Sequence, residues 1–120
     1  MELKFKNTGG DKRGSIIFNE YGNKKINLFE IKKECYRGGH WHNYSVEHTI
    51  ISGKIKYYEF DLKSNKESIK EFSTGSTFTT LPFKATLIVG LEDSIFTEIY
   101  DGNYSSQIYL PYRKLIEEKM

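Results

Sequence analysis

A single-domain, all-β fold of antiparallel strands, a barrel finished by a short C-terminal helix, is predicted by three features of this sequence: its length, its aromatic content and the even recurrence of turn residues. The 120 residues suit one hydrophobic core rather than two. Nine Tyr and eight Phe favour strands, because rings pack well on a pleated surface. Turn signals stand at Gly9-Gly10, Gly14, Tyr21-Gly22-Asn23, Gly38-Gly39, Gly53, Ser64-Asn65, Gly75, Pro82, Gly90 and Asp101-Gly102-Asn103. Breaks at such intervals leave room for the short strands of a sandwich or barrel and not for helices.

Between these breaks lie eight candidate strands: 15–19, 25–32, 47–52, 54–62, 68–72, 77–81, 85–89 and 94–100. In the second of them Ile26, Leu28 and Glu30 alternate with Asn27, Phe29 and Ile31, so both faces carry apolar side chains. Two apolar faces imply a barrel whose outside meets another sheet or a second subunit, and a homodimer is expected. Ile16, Phe18, Ile26, Leu28, Ile51, Ile55, Phe78, Leu87 and Phe96 are expected to supply much of the core, with the phase of each strand open to a slip of one residue. The polar stretch 63–70 reads as a hairpin tip. The tail from Tyr109 to Met120 reads as a helix, since Pro111 suits a first turn and Arg113, Leu115 and Ile116 can extend it.

Composition narrows the function classes. Hydrophobic residues make up 38% and charged residues 28%, a balance that fits a soluble globule and not a membrane-embedded or disordered chain. Eighteen Lys and Arg against sixteen Asp and Glu leave a net charge of only +2, spread along the chain, which argues against nucleic acid as a partner. A lone Cys35 excludes an internal disulfide, and no N-terminal apolar run resembles a signal peptide or membrane helix, so a cytoplasmic location without membrane contact is expected. A small-molecule ligand is the expected partner.

All three histidines fall between positions 40 and 48, in Gly38-Gly-His-Trp-His-Asn-Tyr-Ser-Val-Glu-His-Thr-Ile-Ile-Ser-Gly53. Residues two apart on a strand share a side, so His40 and His42 can aim both imidazoles at one point while Trp41 faces away. Glu47 follows five residues after His42, far enough for a turn at 43–45 and a return strand that brings its carboxylate back. With Glu47 inward, Thr49 and Ile51 share its face and His48 points outward, which makes His48 a packing residue rather than a site member. A hydrogen-bonded structural role for the His pair is the plain alternative. Trp41, Tyr44, Tyr57 and Tyr58, taken singly, read as packing residues.

The run Arg37-Gly-Gly-His-Trp-His-x4-Glu-x5-Gly53 resembles the first motif of the cupin superfamily, whose fold is a jelly-roll β-barrel. In metal-binding members of that family the two His and the Glu are ligands, joined by a later His from a second motif of the form Gly-x5-Pro-x-Gly-x2-His. Here Gly75-x6-Pro82-Phe-Lys-Ala-Thr86-Leu87 keeps the Gly and the Pro but has Thr86 and Leu87 where that His would stand. A narrower likeness, spread over most of the chain, is to small cupins of sugar and nucleotide-sugar metabolism such as the ketoisomerases. Asp11-Lys-Arg-Gly14 resembles their Asp-x-Arg-Gly opening turn, and Glu92-Asp-Ser94 with the Tyr-rich tail resembles their close. In metal-independent isomerases of this group the His pair is implicated in proton transfer.

Two chemical readings therefore compete for the same residues. In one, His40, His42 and Glu47 bind a divalent metal ion facially, as iron, manganese, nickel or zinc would accept. In the other, His40 and His42 are catalytic without a metal, moving a proton between the carbons beside a sugar ketone in an isomerase or epimerase reaction. Arg37 would hold a substrate phosphate or carboxylate, or else form a surface ion pair. Tyr57 and Glu98 are further candidate substrate-binding groups if their strands turn them inward. A third reading is a non-catalytic module that binds a sugar-like ligand, because a fold alone implies no reaction.

Overall fold

The computed structural model describes residues 1–120. In chain order the elements are β1 (Leu3–Asp11), β2 (Gly14–Tyr21), β3 (Lys24–Ile31), β4 (Tyr36–Trp41), β5 (Val46–Ser52), β6 (Lys54–Asp61), β7 (Lys66–Ser73), β8 (Thr77–Thr80), β9 (Lys84–Gly90), β10 (Ser94–Asp101), β11 (Gln107–Ile108) and α1 (Leu110–Lys119). They form a six-stranded sheet, β1-β2-β3-β10-β5-β8, and a five-stranded sheet, β11-β4-β9-β6-β7, facing each other as a jelly roll. Every strand pair is antiparallel. The eight predicted strands all appear, as β2, β3 and β5 to β10, and the extended histidine strand is β4.

The turn residues work as their chemistry allows. Lys12-Arg13 closes the β1–β2 hairpin, and the polar stretch after Asp61 holds the tip between β6 and β7, where Asn65 takes a positive φ that Asn tolerates. The tail is helical, with Pro111 in its first turn, and Tyr112 and Ile116, four apart, are its buried residues. No helix is long and apolar enough to cross a membrane.

Two apolar clusters hold the sheets. Ile31, Ile50, Ile55, Tyr57, Ile88 and Phe96 pack between the sheets at one end of the barrel. Ala85, Leu87, Val89, Tyr112 and Ile116 pack between the back of the five-stranded sheet and α1. Each fully buried aliphatic side chain there contributes about 1.5–3 kcal/mol. Of the expected core residues, Ile55, Leu87 and Phe96 are fully buried, and Phe78 packs against the first cluster. The expectation fails for Ile26, Leu28 and Ile51. On β3 it is Asn27, Phe29 and Ile31 that face the interior, and Ile51 is 49% exposed. Ile26 and Leu28 lie on the opposite face, beside Ile99 and Thr97 of β10. Ile16 and Phe18 point inward but line open space.

Candidate functional site

A bulge in β4 builds the site. Arg37 pairs with Ile88, Gly38 with Leu87 and His40 with Thr86, so the three residues from Gly38 to His40 oppose two on β9 and the register shifts between Gly38 and His40. On a regular strand a three-residue separation would place Arg37 and His40 on opposite faces. The bulge absorbs the extra residue, so both stay on the interior face, with His42 following. Both glycines have positive φ, 109° at Gly38 and 79° at Gly39. A Cβ on Gly38 would lie 2.6 Å from the Thr86 carbonyl oxygen, and one on Gly39 would lie 3.1 Å from the Arg113 Cα of α1. Neither position accepts a side chain without displacing backbone.

The space they face is a cavity of about 620 Å³ inside the barrel, walled in part by Ile88 and Phe96 of the first apolar cluster and not reached by its Ile50, Ile55 and Tyr57. Its chemistry comes from Arg13, Arg37, His40, His42, Thr86, Glu98, Tyr100, Tyr104 and Arg113, with Phe18, Phe29 and Phe96 as apolar wall. Arg37 is 7% exposed and donates from Nη2 to the Gly14 carbonyl at 2.7 Å and from Nε to the Glu30 carbonyl at 3.3 Å. It forms no ion pair. The Asp11-Lys-Arg-Gly14 turn thereby braces the site. Arg13 clamps Asp11 through Nη2 at 2.7 Å, and the Gly14 carbonyl that follows anchors Arg37. The same Arg13 bonds hold Asp11 well below the usual carboxylate range.

Burial sets the protonation states. It lowers His40 to about 4, helped by His42, Arg113 and Arg13, and His40 makes no hydrogen bond to the protein. Burial also lowers His42, opposed by the bond its Nδ1 makes to the Ser105 carbonyl at 2.6 Å. A carbonyl only accepts, so Nδ1 carries the hydrogen and Nε2 keeps its lone pair. Glu98 reaches the cavity from β10. Burial pushes its carboxyl up to about 7, a rise that Arg37 partly offsets. At neutral pH the site therefore holds two neutral imidazoles and a carboxyl poised between its two forms.

The structure separates Glu47 from this group. On β5 the buried residues are Val46, His48 and Ile50, and Glu47 is exposed on the outer face, one residue out of the expected phase. His48 lies inside instead, 4% exposed, bonded through Nδ1 to the Thr97 carbonyl at 3.2 Å and through Nε2 to Thr80 Oγ1 at 3.1 Å. It is a packing histidine as expected, on the opposite side from that expected. Tyr57 does turn inward, yet it belongs to the apolar cluster, with its hydroxyl bonded to Thr80 Oγ1 at 2.6 Å and donating to Glu59 Oε2 at 2.8 Å. It does not line the cavity. Thr86 faces His40 across the β4–β9 pair, whereas Leu87 points to the helix.

The donor set does not fit a facially bound cation. The His40 and His42 rings are 6.4 Å apart, Glu47 is on the other face of its strand, and no three His, Cys, Asp or Glu side chains converge. Arg113, Tyr104 and the Ser105 carbonyl were absent from the sequence reading of the site. Arg113 was legible only as a helix residue, and a main-chain carbonyl leaves no signal in a sequence.

No family model matches the chain, and no curated protein does. Solved structures do. A deletion mutant of Bacillus subtilis oxalate decarboxylase superposes with a TM-score of 0.76 at 18% identity, over 85% of this chain and 29% of that one. The formate complex of Lactobacillus farciminis oxalate decarboxylase gives 0.74 at 13% identity, over 85% and 33%. A further B. subtilis oxalate decarboxylase, described through its Mn(II) centres, gives 0.73 at 17% identity, over 82% and 29%. This chain spans about a third of the length of those enzymes. At such identities the likeness is one of fold, and it shows that this chain has the cupin jelly-roll fold.

Proposed function

We propose that the cavity binds a small, polar, sugar-like ligand bearing an anionic group and moves a proton between two of its carbons, as an isomerase or epimerase acting on a sugar or nucleotide-linked sugar. The observation that carries this reading is the meeting, in one cavity, of a carboxyl with a pKa of about 7, two neutral imidazoles and a buried arginine without an ion-pair partner. An acid or base works best when its pKa lies near the working pH. The polar lining suits a polyhydroxylated ligand, because an apolar one would leave each buried polar group unpaired at about 1–3 kcal/mol.

The roles follow from the hydrogens. His42 Nε2 takes the proton from the carbon beside a ketone, the C–H electrons form a C=C bond, and protonated Glu98 delivers its proton to the carbonyl oxygen. The enediol then loses the hydroxyl proton from the other carbon's oxygen to Glu98 and gains the His42 proton at the former carbonyl carbon. The carbonyl has moved by one position and both groups are restored. Arg37 holds the anionic group through the guanidinium hydrogens left free by Gly14 and Glu30. His40, lacking a protein partner, is left to bond a ligand hydroxyl.

Incubation with nucleotide-linked keto sugars in D₂O tests this. Deuterium is expected to enter the carbon beside the ketone, and His42→Asn and Glu98→Gln are expected to abolish uptake while binding persists. Binding with no exchange in the wild-type protein would overturn the isomerase reading in favour of a non-catalytic binding module.

A further inference from the structure

We infer that Tyr44 is a positioning residue for His42: it holds the Ser105 carbonyl that decides which imidazole nitrogen carries the hydrogen, and so keeps Nε2 bare. The consequence for turnover rests on the proton-transfer reading proposed above, whereas the choice of nitrogen does not. Tyr44 does not line the cavity, so it can act only through its neighbours. Residues 102–106 form a strap that leaves β10 in the six-stranded sheet and enters β11 beside β4 in the other, passing the cavity at Tyr104. Gly102 fastens its start, donating to the Asn23 carbonyl at 3.0 Å. From there to β11 the strap is hydrogen-bonded to the rest of the protein only at Ser105. The Ser105 N–H donates to the Tyr44 hydroxyl oxygen at 3.2 Å, and the Ser105 carbonyl accepts from His42 Nδ1 at 2.6 Å. The bond from the Tyr104 hydroxyl to Ser106 Oγ stays within the strap.

Tyr44 holds the imidazole as well as its acceptor. It stands two residues after His42, with the two ring centroids 4.8 Å apart and the planes 32° from parallel. Tyr100 of β10 supports the same Tyr44 ring at 5.3 Å. The main chain of His42 is fixed from another direction, its carbonyl accepting from the Phe83 N–H at 2.8 Å in the turn before β9. What the strap governs is therefore the ring and not the backbone. A carbonyl only accepts, so with Ser105 in place the hydrogen stays on Nδ1 and the lone pair stays on Nε2. With Ser105 loose, the hydrogen is free to shift to Nε2, which removes the base without altering any residue of the cavity. Tyr44→Phe makes that change with the loss of one oxygen from a half-buried ring.

The chain has three histidines, so labelling them with ¹⁵N resolves each ring by NMR. At about pH 8, above the ordinary imidazole pKa of about 6.5, wild-type His42 is expected to carry its hydrogen on Nδ1 with Nε2 bare. In Tyr44→Phe the shifts of the two nitrogens are expected to move towards each other as the tautomers mix. Turnover of a keto sugar is expected to fall about tenfold in kcat with KM unchanged, the fold-change that one hydrogen bond carries. Tyr58→Phe, on the back of the five-stranded sheet beside Tyr112, is expected to change neither the spectrum nor the rate. Should Tyr44→Phe fail to fold, hydrogen exchange on the wild type decides. There the Ser105 amide is expected to exchange more slowly than the adjacent Asn103 and Tyr104 amides, which have no acceptor. A wild-type His42 with its hydrogen on Nε2, a His42 spectrum unchanged in Tyr44→Phe, or a Ser105 amide as fast as its neighbours overturns the inference. If the wild type turns over no keto sugar, the proton-transfer reading falls, and the spectra by themselves still decide the role of Tyr44.

Discussion

The two ends of the barrel interior use the same residue type in opposite ways. At the closed end His48 has both ring nitrogens bonded, to the Thr97 carbonyl and to Thr80 Oγ1, and its ring stacks on Phe78 at 4.8 Å. At the open end His40 has no protein partner and His42 has one, so lone pairs remain for something that enters. Burial lowers all three pKa values, so the pKa does not distinguish them. The hydrogen-bond pattern does. A buried histidine with both nitrogens satisfied is structure, and one with a nitrogen left over is available for chemistry.

Changes at the closed end should therefore cost stability, and changes at the open end should cost function. The largest effect is expected for Ile50→Ala, which empties a fully packed position in the closed end and should lower the free energy of unfolding by about 2–5 kcal/mol in urea titrations. Next comes pH. The neutral form of His48 is kept down to about 4 in the fold, whereas the unfolded chain takes up a proton from about 6.5, so the unfolded state binds more protons between these values. Stability present above about 6.5 is then lost as pH falls towards 4, by on the order of 3 kcal/mol from this group. His48→Gln should make that slope shallower by its own share, leaving the part due to His40 and His42, and an unchanged slope would place the loss elsewhere.

Glu98→Gln probes the open end. The folded carboxyl keeps its proton up to about 7 while the unfolded one loses it near 4.5, so the wild type loses stability as pH rises between them. The variant is expected to melt higher than the wild type at about pH 8, and the wild type's own proton-exchange rate is expected to decline above about pH 7 as Glu98 loses the proton it delivers. A variant that melts lower there would mean that Glu98 is paired and structural. The smallest effect is expected for Glu47→Ala. An exposed carboxylate without a partner should change stability by under about 0.5 kcal/mol and leave ligand binding and metal content as they were. A drop in bound metal would restore Glu47 as a ligand.

Much of the fold was legible because turn residues are local. Gly53, Gly75 and Gly102 stand at strand ends with positive φ that glycine adopts freely, and Pro111 suits a helix's first turn. Strand phase was not legible, and β3 and β5 show why. Asn27, Phe29 and Ile31 against Ile26 and Leu28, and Val46, His48 and Ile50 against Glu47, Thr49 and Ile51, are nearly balanced sets, because the outer face is apolar too. Alternation identifies a strand without saying which side is in. β1 carries no readable strand signal, because Lys4 and Lys6 break its apolar run and it buries nothing. In the site, His40 and His42 were readable from their two-residue spacing. Arg37 stands three residues before His40, a separation that plain alternation puts on the opposite face, so its place in the cavity was not readable.

The Gly38-Gly39 pair has one more consequence. Plain alternation over a strand one residue shorter would also have set Arg37 and both histidines on a single side, so the inserted residue is not needed for that alone. What it adds is a hollow in the back of the sheet, where Gly39 admits the Arg113 backbone and the Ile116 side chain of α1. Removing one glycine should thus leave the inward-facing trio in place while undocking the helix and withdrawing Arg113 from the cavity rim. Chain length at this point, rather than residue identity, is the variable that would let the two halves of the design be tuned apart.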